Sequence, residues 1–507
     1  MAGADLSGTI SAPSADAGDI QGILRAGYGT LSEASFLLLR IVDAGAARAW
    51  LGQAPITTVG HLDRHMATAL QVALTADGMR ALGVADNVIA GFSAEFVAGM
   101  AGEEARSRRL GDVGANAPSR WRWGAAERVP DALAMLYAEQ GLASWRQRIA
   151  TDSFRRGFAI IEELATSNMG GREPFGFMDG VSQPYLDWSG NRRPGTDADL
   201  EYGNLIAPGE FLLGYRNEYG LYTDRPLLDA ARPGAPILPP AEDDPARRDL
   251  GRNGCYLVFR ELHQDVRAFW RFVAAQDGAP AMLAEAMVGR QMSGEPLIAA
   301  GTRPIPGVGP DAVEIRRNRF TYGADKDGLR CPLGAHVRRA NPRTADMPGG
   351  RQGRLAQLVR MLGFGRVDLQ DDLIAASRFH RILRRGREFG DMLSAEEAMR
   401  PDVPDPQSGL HFIGVGANIA RQFEFVQNAW LASAKFGGLS GEADPLTGNR
   451  VAFPANQPTD GFSLSRPNGV RRRIGGMPQF VTVRGGGYFF LPGLRALRYL
   501  AGAGAGT

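Results

Sequence analysis

The sequence predicts an α+β protein built as two halves. Strand-like and helix-like stretches alternate up to about residue 150, and a second such set follows Cys255. Between them, from Ser189 to Asn253, the chain is dense in glycine, proline and charge, as a long ordered connection would be. The 66 glycines and 31 prolines among 507 residues require much loop and turn, which argues against a helical bundle.

In the first half, the apolar run Ser35–Val42 predicts a strand buried on both faces, and Leu70–Leu74 predicts a second. Ala44–Leu51 and Thr75–Leu82 predict helices. In the second half Cys255–Arg260 reads as a strand. Val266, Phe269, Trp270 and Val273, spaced i, i+3, i+4, i+7, then give Gln264–Gln276 an amphipathic helix. Gly409–Val415 reads as a strand, and Ile419, Phe423, Val426 and Trp430 share one face of a long helix after it. Phe480–Arg484 and Tyr488–Leu491 read as two strands broken at Gly485-Gly-Gly487. No repeat of 20 to 50 residues is visible.

Composition excludes several classes of function. Lys+Arg is 57 against 55 for Asp+Glu, a net charge of +2, too balanced to make nucleic acid the main partner. The only lysines, Lys326 and Lys435, are not followed by Ser or Thr, so there is no Walker-type phosphate loop. Two cysteines, Cys255 and Cys331, allow neither a disulfide framework nor a four-cysteine metal site. Gly414-Val-Gly416 has the start of a dinucleotide loop, but Ile419 stands where a third small residue belongs. The N-terminal stretch MAGADLSGTI has no basic region, twin-arginine pair or apolar core, and no apolar run approaches the length of a membrane span. These features predict a soluble, cytoplasmic protein.

Six histidines are candidates for metal chemistry. His61 and His65, i and i+4 in a predicted helix, have no third ligand nearby and read as a solvated face. His263 reads as a surface residue at a helix start, and His411 as a satisfied core histidine within Leu410–Ile413. His336 stands in Cys331-Pro-Leu-Gly-Ala-His-Val-Arg-Arg-Ala-Asn-Pro-Arg343. Small residues before it would let a flat cofactor approach the backbone, and Arg338, Arg339 and Arg343 could pair with carboxylates. A basic turn with an incidental histidine is the alternative. His380 lies in the arginine-rich Ser377–Gly386, where Ile382 and Leu383 indicate partial burial and so a need for anionic partners. Asp179, in Pro174-Phe-Gly-Phe-Met-Asp-Gly-Val-Ser-Gln-Pro184, is a carboxyl group in an apolar, glycine-flanked loop and could exchange protons with a ligand; a plain Asp-Gly turn is the alternative.

Together these segments resemble the dye-decolorising peroxidase family, in its larger fungal and bacterial branch. Gly176-Phe-Met-Asp-Gly180 matches the family's GxxDG signature. Cys331–His336 through Asn341-Pro-Arg343 is similar to its proximal-histidine segment, and Arg381-Ile-Leu-Arg-Arg-Gly386 through Phe389-Gly390 to its distal-arginine segment. Pro208–Tyr215, Gln422–Gln427 and Arg484–Phe490 also look familial, so the resemblance runs from about Asp19 to the last strand.

The resemblance implies two ferredoxin-like domains, 1–215 with the GxxDG loop and 216–507 holding most of the haem. It implies haem b (iron protoporphyrin IX) ligated by His336, with Asp179 as distal acid–base and Arg384, or failing it Arg385, as distal arginine. Gly176, Phe177, Met178 and Gly180 would line the haem, and Arg338 and Arg343 would meet its propionates. The implied activity is reduction of hydrogen peroxide and oxidation of dyes, phenols or other small reductants through a ferryl state. A haem carrier or iron-release protein is the alternative. No nucleic acid or membrane partner is implied, and a homo-oligomer is compatible. Electrons could hop through Trp188 or Trp430 when a bulky reductant stays outside. Ala420 stands just before Arg421-Gln-Phe-Glu-Phe, where an acidic neighbour for His336 would be sought, so that acceptor is unassigned. Gly386 offers the distal side no further polar group.

Overall fold

The computed structural model describes residues 16–62, 64–188, 203–298, 317–318, 320–343, 376–452 and 457–502. Part of the predicted 189–253 connection and the last five residues lie outside them. Nine strands form one sheet: β1 (Glu33–Ile41), β2 (Thr68–Leu74), β3 (Ala132–Ala138), β4 (Phe158–Ala165), β5 (Cys255–Gln264), β6 (Leu383–Arg384), β7 (Arg387–Phe389), β8 (Gly409–Gly416) and β9 (Val481–Leu491). Their order is β6-β8-β5-β9-β2-β3-β1-β4, with β7 beside β8 and every pairing antiparallel.

The order contains the same arrangement twice. Numbered within its own half, each set of strands runs 2-3-1-4 across the sheet, the ferredoxin-like order, and the halves meet where Phe490 of β9 pairs with Leu74 of β2. The architecture is therefore α+β, with a doubling that no sequence repeat betrays.

Both sheet faces are covered, which is why β1 reads as an unbroken apolar run. Leu37 and Leu39 enter one core with Trp50, Val72 and Phe490, while Phe36 and Leu38 enter another with Tyr137, Phe259 and Ile413. Helix α1 (Ala44–Leu51) is capped by the Asp43 side chain on the Ala46 N–H and buries Trp50 against the sheet. Helix α2 (Val266–Ala274) is capped by Asp265 and buries Val266, Phe269, Trp270 and Val273, the stripe its spacing predicts. A third core joins these side chains to Phe175 and Phe177. The Asp179 loop, although it precedes residue 215, thus packs on elements that follow it.

Three local expectations are corrected. His61 closes a 3-10 turn, Val59–His61, and its Nδ1 accepts the Thr58 N–H, so the His61–His65 pair shares no helix face. His263 lies on β5, half-buried, not at a helix start. Gly485–Gly487 do not break the last strand. β9 is continuous and carries a bulge between Val483 and Gly485. A Cβ on Gly485 would lie 2.5 Å from Cε2 of the buried Trp123, and one on Gly486 would lie 2.6 Å from Met100 Sδ. The glycines make room for these side chains rather than turning the chain. Gly485→Ala is expected to cost about 1–3 kcal/mol of overpacking, seen as a lower denaturant midpoint.

Candidate active site

The second half of the sheet forms one wall of a cavity of about 320 Å³. Alternate residues project into it: Leu262 and Gln264 from β5, Leu410 and Phe412 from β8, Val481 and Val483 from β9. Further lining comes from the Asp179 loop, from the short helix α3 (His336–Ala340), from the His380–Gly386 segment, and from two successive turns, Ala420–Glu424 and Val426–Leu431, among others. Those turns were expected to form one long helix; they are wound as π-helix, and Phe423, Val426, Gln427 and Leu431 line the cavity.

His336, Asp179 and Arg384 all line this cavity. His336 is the first residue of α3, and its side chain is 24% exposed, towards the cavity. Its Nδ1 lies 3.0 and 3.1 Å from the two carboxylate oxygens of Asp444, which is fully buried. Asp444 also accepts the Leu446 and Thr447 N–H groups and the Thr447 hydroxyl, so its position is fixed independently of the histidine. Burial disfavours a charged imidazole, but the Asp444 carboxylate outweighs it and raises the His336 pKa above its ordinary value. Burial likewise opposes ionisation of Asp444, yet His336 and the Thr447 N–H hold it at about 2. With Nδ1 engaged, Nε2 is the nitrogen left for a ligand.

Asp179 follows from the fold of its loop. The Glu173 carboxylate accepts the N–H groups of Phe175 and Phe177, both at 3.0 Å, and the Gln264 amide at 2.7 Å. Burial pushes Glu173 up to about 7 against those three bonds. Gly176 and Gly180 take positive φ, 98° and 71°, and Asp179 N–H donates to the Gly171 carbonyl at 2.9 Å. The Asp179 side chain is 41% exposed, with Oδ1 3.8 Å from Arg384 Nη1.

Arg384 is locked to the same loop. Its Nη2 donates to the Ser182 carbonyl, and the Gln183 amide bonds both its backbone N–H and its carbonyl, all at 3.0 Å. Arg385, just past β6, turns away from the cavity and donates to the Ile23 and Leu24 carbonyls, so Arg384 is the arginine at the cavity. Gly386 also lines the cavity; a Cβ there would strike the His411 carbonyl.

The remaining expectations divide. Phe177 and Met178 line the cavity, while Gly176 and Gly180 shape the loop. Arg343, in left-handed backbone at φ 58°, lines the cavity and donates to the Asn318 and Phe320 carbonyls. Arg338 is corrected: it is not part of the lining. It is buried over the Tyr322 ring, donating to the Cys331 and Asp325 carbonyls and lying 3.4 Å from the Asp325 carboxylate. Arg339 ties α3 to the carbonyls of Trp430, Ser433 and Glu442. The two buried guanidiniums thus mostly cap carbonyl ends, which the five-donor fork suits as well as a carboxylate. His380 lines the cavity too, stacked 3.7 Å from Phe425 with Nδ1 on the Arg421 carbonyl; burial pushes it down to about 4, so it is neutral. His411 is buried, with Nε2 3.0 Å from the Ala165 carbonyl. Trp188 and Trp430 are both buried.

Sequence reasoning missed Asp444 and Glu173. Asp444-Pro-Leu-Thr447 has the look of a capped turn and gives no sign of a partner 108 residues away. Among the described residues no group of three or more His, Cys, Asp or Glu could hold a bare metal ion. One imidazole with a single nitrogen left, set among apolar walls, suits a flat macrocycle that brings its own equatorial ligands. The residues present fit haem.

No family model matches the chain. It is 28% identical over 514 residues to the dye-decolorizing peroxidase msp1 of Mycetinis scorodonius, spanning 95% of this chain and 86% of that protein. It is 27% identical over 499 residues to the multifunctional dye peroxidase DyP2 of Amycolatopsis sp. (strain ATCC 39116 / 75iv2), spanning 92% and 91%. In fold it is similar to a fungal DyP-type peroxidase from Auricularia auricula-judae, with a TM-score of 0.69 over 97% of this chain and 100% of that one at 24% identity. A dye-decolorizing peroxidase in complex with 2,6-dimethoxyphenol gives 0.66 at 23% identity, over 96% and 99%. Sequence and fold agree along nearly the full length: the curated relatives and the solved structures to which the chain is similar are dye-decolorizing peroxidases.

Proposed function

We propose that the cavity holds haem b and that the protein reduces hydrogen peroxide while oxidising dyes, phenols or similar small reductants. Its relatives carry the name peroxidase, and one solved relative is described by its heme pocket. Haem, when bound, supplies the redox centre. His336 Nε2 would hold the haem iron; the Nδ1–H bond to Asp444 fixes the tautomer, orients the ring and makes it more basic. Asp179 takes the proton from one peroxide oxygen and returns it to the other. Arg384, 3.8 Å away, sets a permanent positive charge beside the oxygen on which negative charge develops.

The observation that carries this reading is that one cavity is lined both by an imidazole with a single nitrogen left and by a paired carboxylate and guanidinium. A carrier needs the first and has no use for the second. The test is the spectrum of the purified protein, then peroxide turnover with a phenol. A Soret band with turnover far above that of free haem is expected. A Soret band without such turnover would leave a carrier, and no Soret band after haem loading would remove haem altogether. No helix among the described residues is long and apolar enough to cross a membrane.

A further inference from the structure

We propose that Met178 is a built-in oxidation site: peroxide at the Asp179 loop converts its thioether to a sulfoxide whose oxygen Arg317 captures. The proposal rests on the reading above, which brings peroxide to this loop.

Met178 precedes Asp179, lines the cavity and is half-buried. Its place is tightly defined. Its N–H donates to the Met292 carbonyl at 3.2 Å, and a Cβ on Gly294 would lie 3.2 Å from Sδ. Arg317 Nη1 sits 3.1 Å from that sulfur, while its Nε is held by Glu295 Oε1 at 2.7 Å. A thioether is a weak acceptor, so a guanidinium N–H spent on it gains little. A sulfoxide oxygen is a strong acceptor, and the same N–H would then make a charge-assisted hydrogen bond. The contact is thus better suited to the oxidised side chain than to the reduced one.

Other methionines lack this combination. Met282, Met392 and Met399 are 71%, 42% and 45% exposed, and no hydrogen bond reaches their sulfurs among the described residues. Met135 receives the Tyr137 hydroxyl but is fully buried away from the cavity.

The step balances without another reagent. A sulfur lone pair attacks one peroxide oxygen, the S–O bond forms as the O–O bond breaks, and the departing hydroxide takes up the peroxide's remaining proton to leave as water. Sulfur is oxidised by two electrons and peroxide is reduced by two. Because the sulfoxide is a stereocentre and Arg317 lies on one side of the sulfur, one epimer forms. A polar group then stands next to Asp179, so the enzyme records its own peroxide exposure in the loop that handles peroxide.

The test treats haem-loaded protein with small additions of hydrogen peroxide and no reductant, then digests it with trypsin. The fragment Glu173–Arg192 contains Met178 as its only methionine, and fragment ions separate oxidation there from oxidation of Trp188. A gain of about 16 Da at Met178 is expected ahead of that at Met282, removed by only one of the two epimer-specific sulfoxide reductases. In Arg317→Leu, oxidation of Met178 relative to Met282 should fall about threefold to tenfold, and both epimers should appear. Oxidation of Met282 with Met178 intact, equal epimers in the wild type, or an unchanged ratio in Arg317→Leu would each overturn the proposal. If that variant fails to fold, the wild-type order and epimer decide. Failure of the functional reading is seen separately, as absent peroxide turnover in the wild type.

Discussion

Asp179→Asn should keep its haem and lose roughly 10²–10⁴-fold in the rate of the first Soret change after peroxide is mixed in, the range expected when a positioned acid–base group is removed. The substitution preserves shape. The loop is held by Glu173 through the Phe175 and Phe177 N–H groups and by Arg384 through the Ser182 carbonyl, and none of these bonds uses the Asp179 side chain. The Soret position and haem content should therefore match the wild type, which separates lost proton transfer from lost structure. Stopped-flow absorbance at several peroxide concentrations measures the rate. A second-order rate constant equal to the wild type's would remove Asp179 from proton transfer and turn attention to Glu173, a further carboxyl group lining the cavity, bonded to Gln264. Arg384→Leu should slow the same step while also loosening the loop, because that side chain serves both the Asp179 pair and the Ser182 carbonyl.

How much of this was legible depends on the range over which each feature is determined. Helix α1 and the α2 stripe were legible because their signals are local, in α2 apolar residues at helical spacing. The Asp179 loop, His336 and Arg384 were legible as motifs, although only the fold brings them to one cavity. The bulged β9 was not, since a glycine run signals a break unless Trp123, more than 350 residues earlier, is known to fill the space. Arg338 misled for a related reason. An arginine beside a candidate ligand histidine looks available for an anion, but nearby carbonyls and Asp325 engage its donors, and carbonyl acceptors leave no mark in a sequence. Asp444 escaped because it acts through a contact whose two ends are 108 residues apart.

That contact sets up the other large effect. His336→Ala should lose most bound haem, read as the ratio of Soret to protein absorbance after loading and desalting, because it removes the one cavity imidazole whose second nitrogen is anchored to a carboxylate. Asp444→Asn should act on the same bond more gently. The amide can still meet Nδ1, but it carries no charge, so the imidazole becomes a weaker donor. Haem affinity is then expected to fall about 10–100-fold, with a less negative reduction potential. The two variants together discriminate among causes. If His336→Ala retained full haem, His380 would be the next imidazole to test, but its Nδ1 is bound to a neutral carbonyl and its ring is stacked on Phe425, so it has no anionic neighbour to strengthen it. In that case Asp444→Asn would leave the potential unmoved. A shifted potential in Asp444→Asn together with haem loss in His336→Ala can arise only if the pair acts in series, carboxylate on imidazole and imidazole on iron.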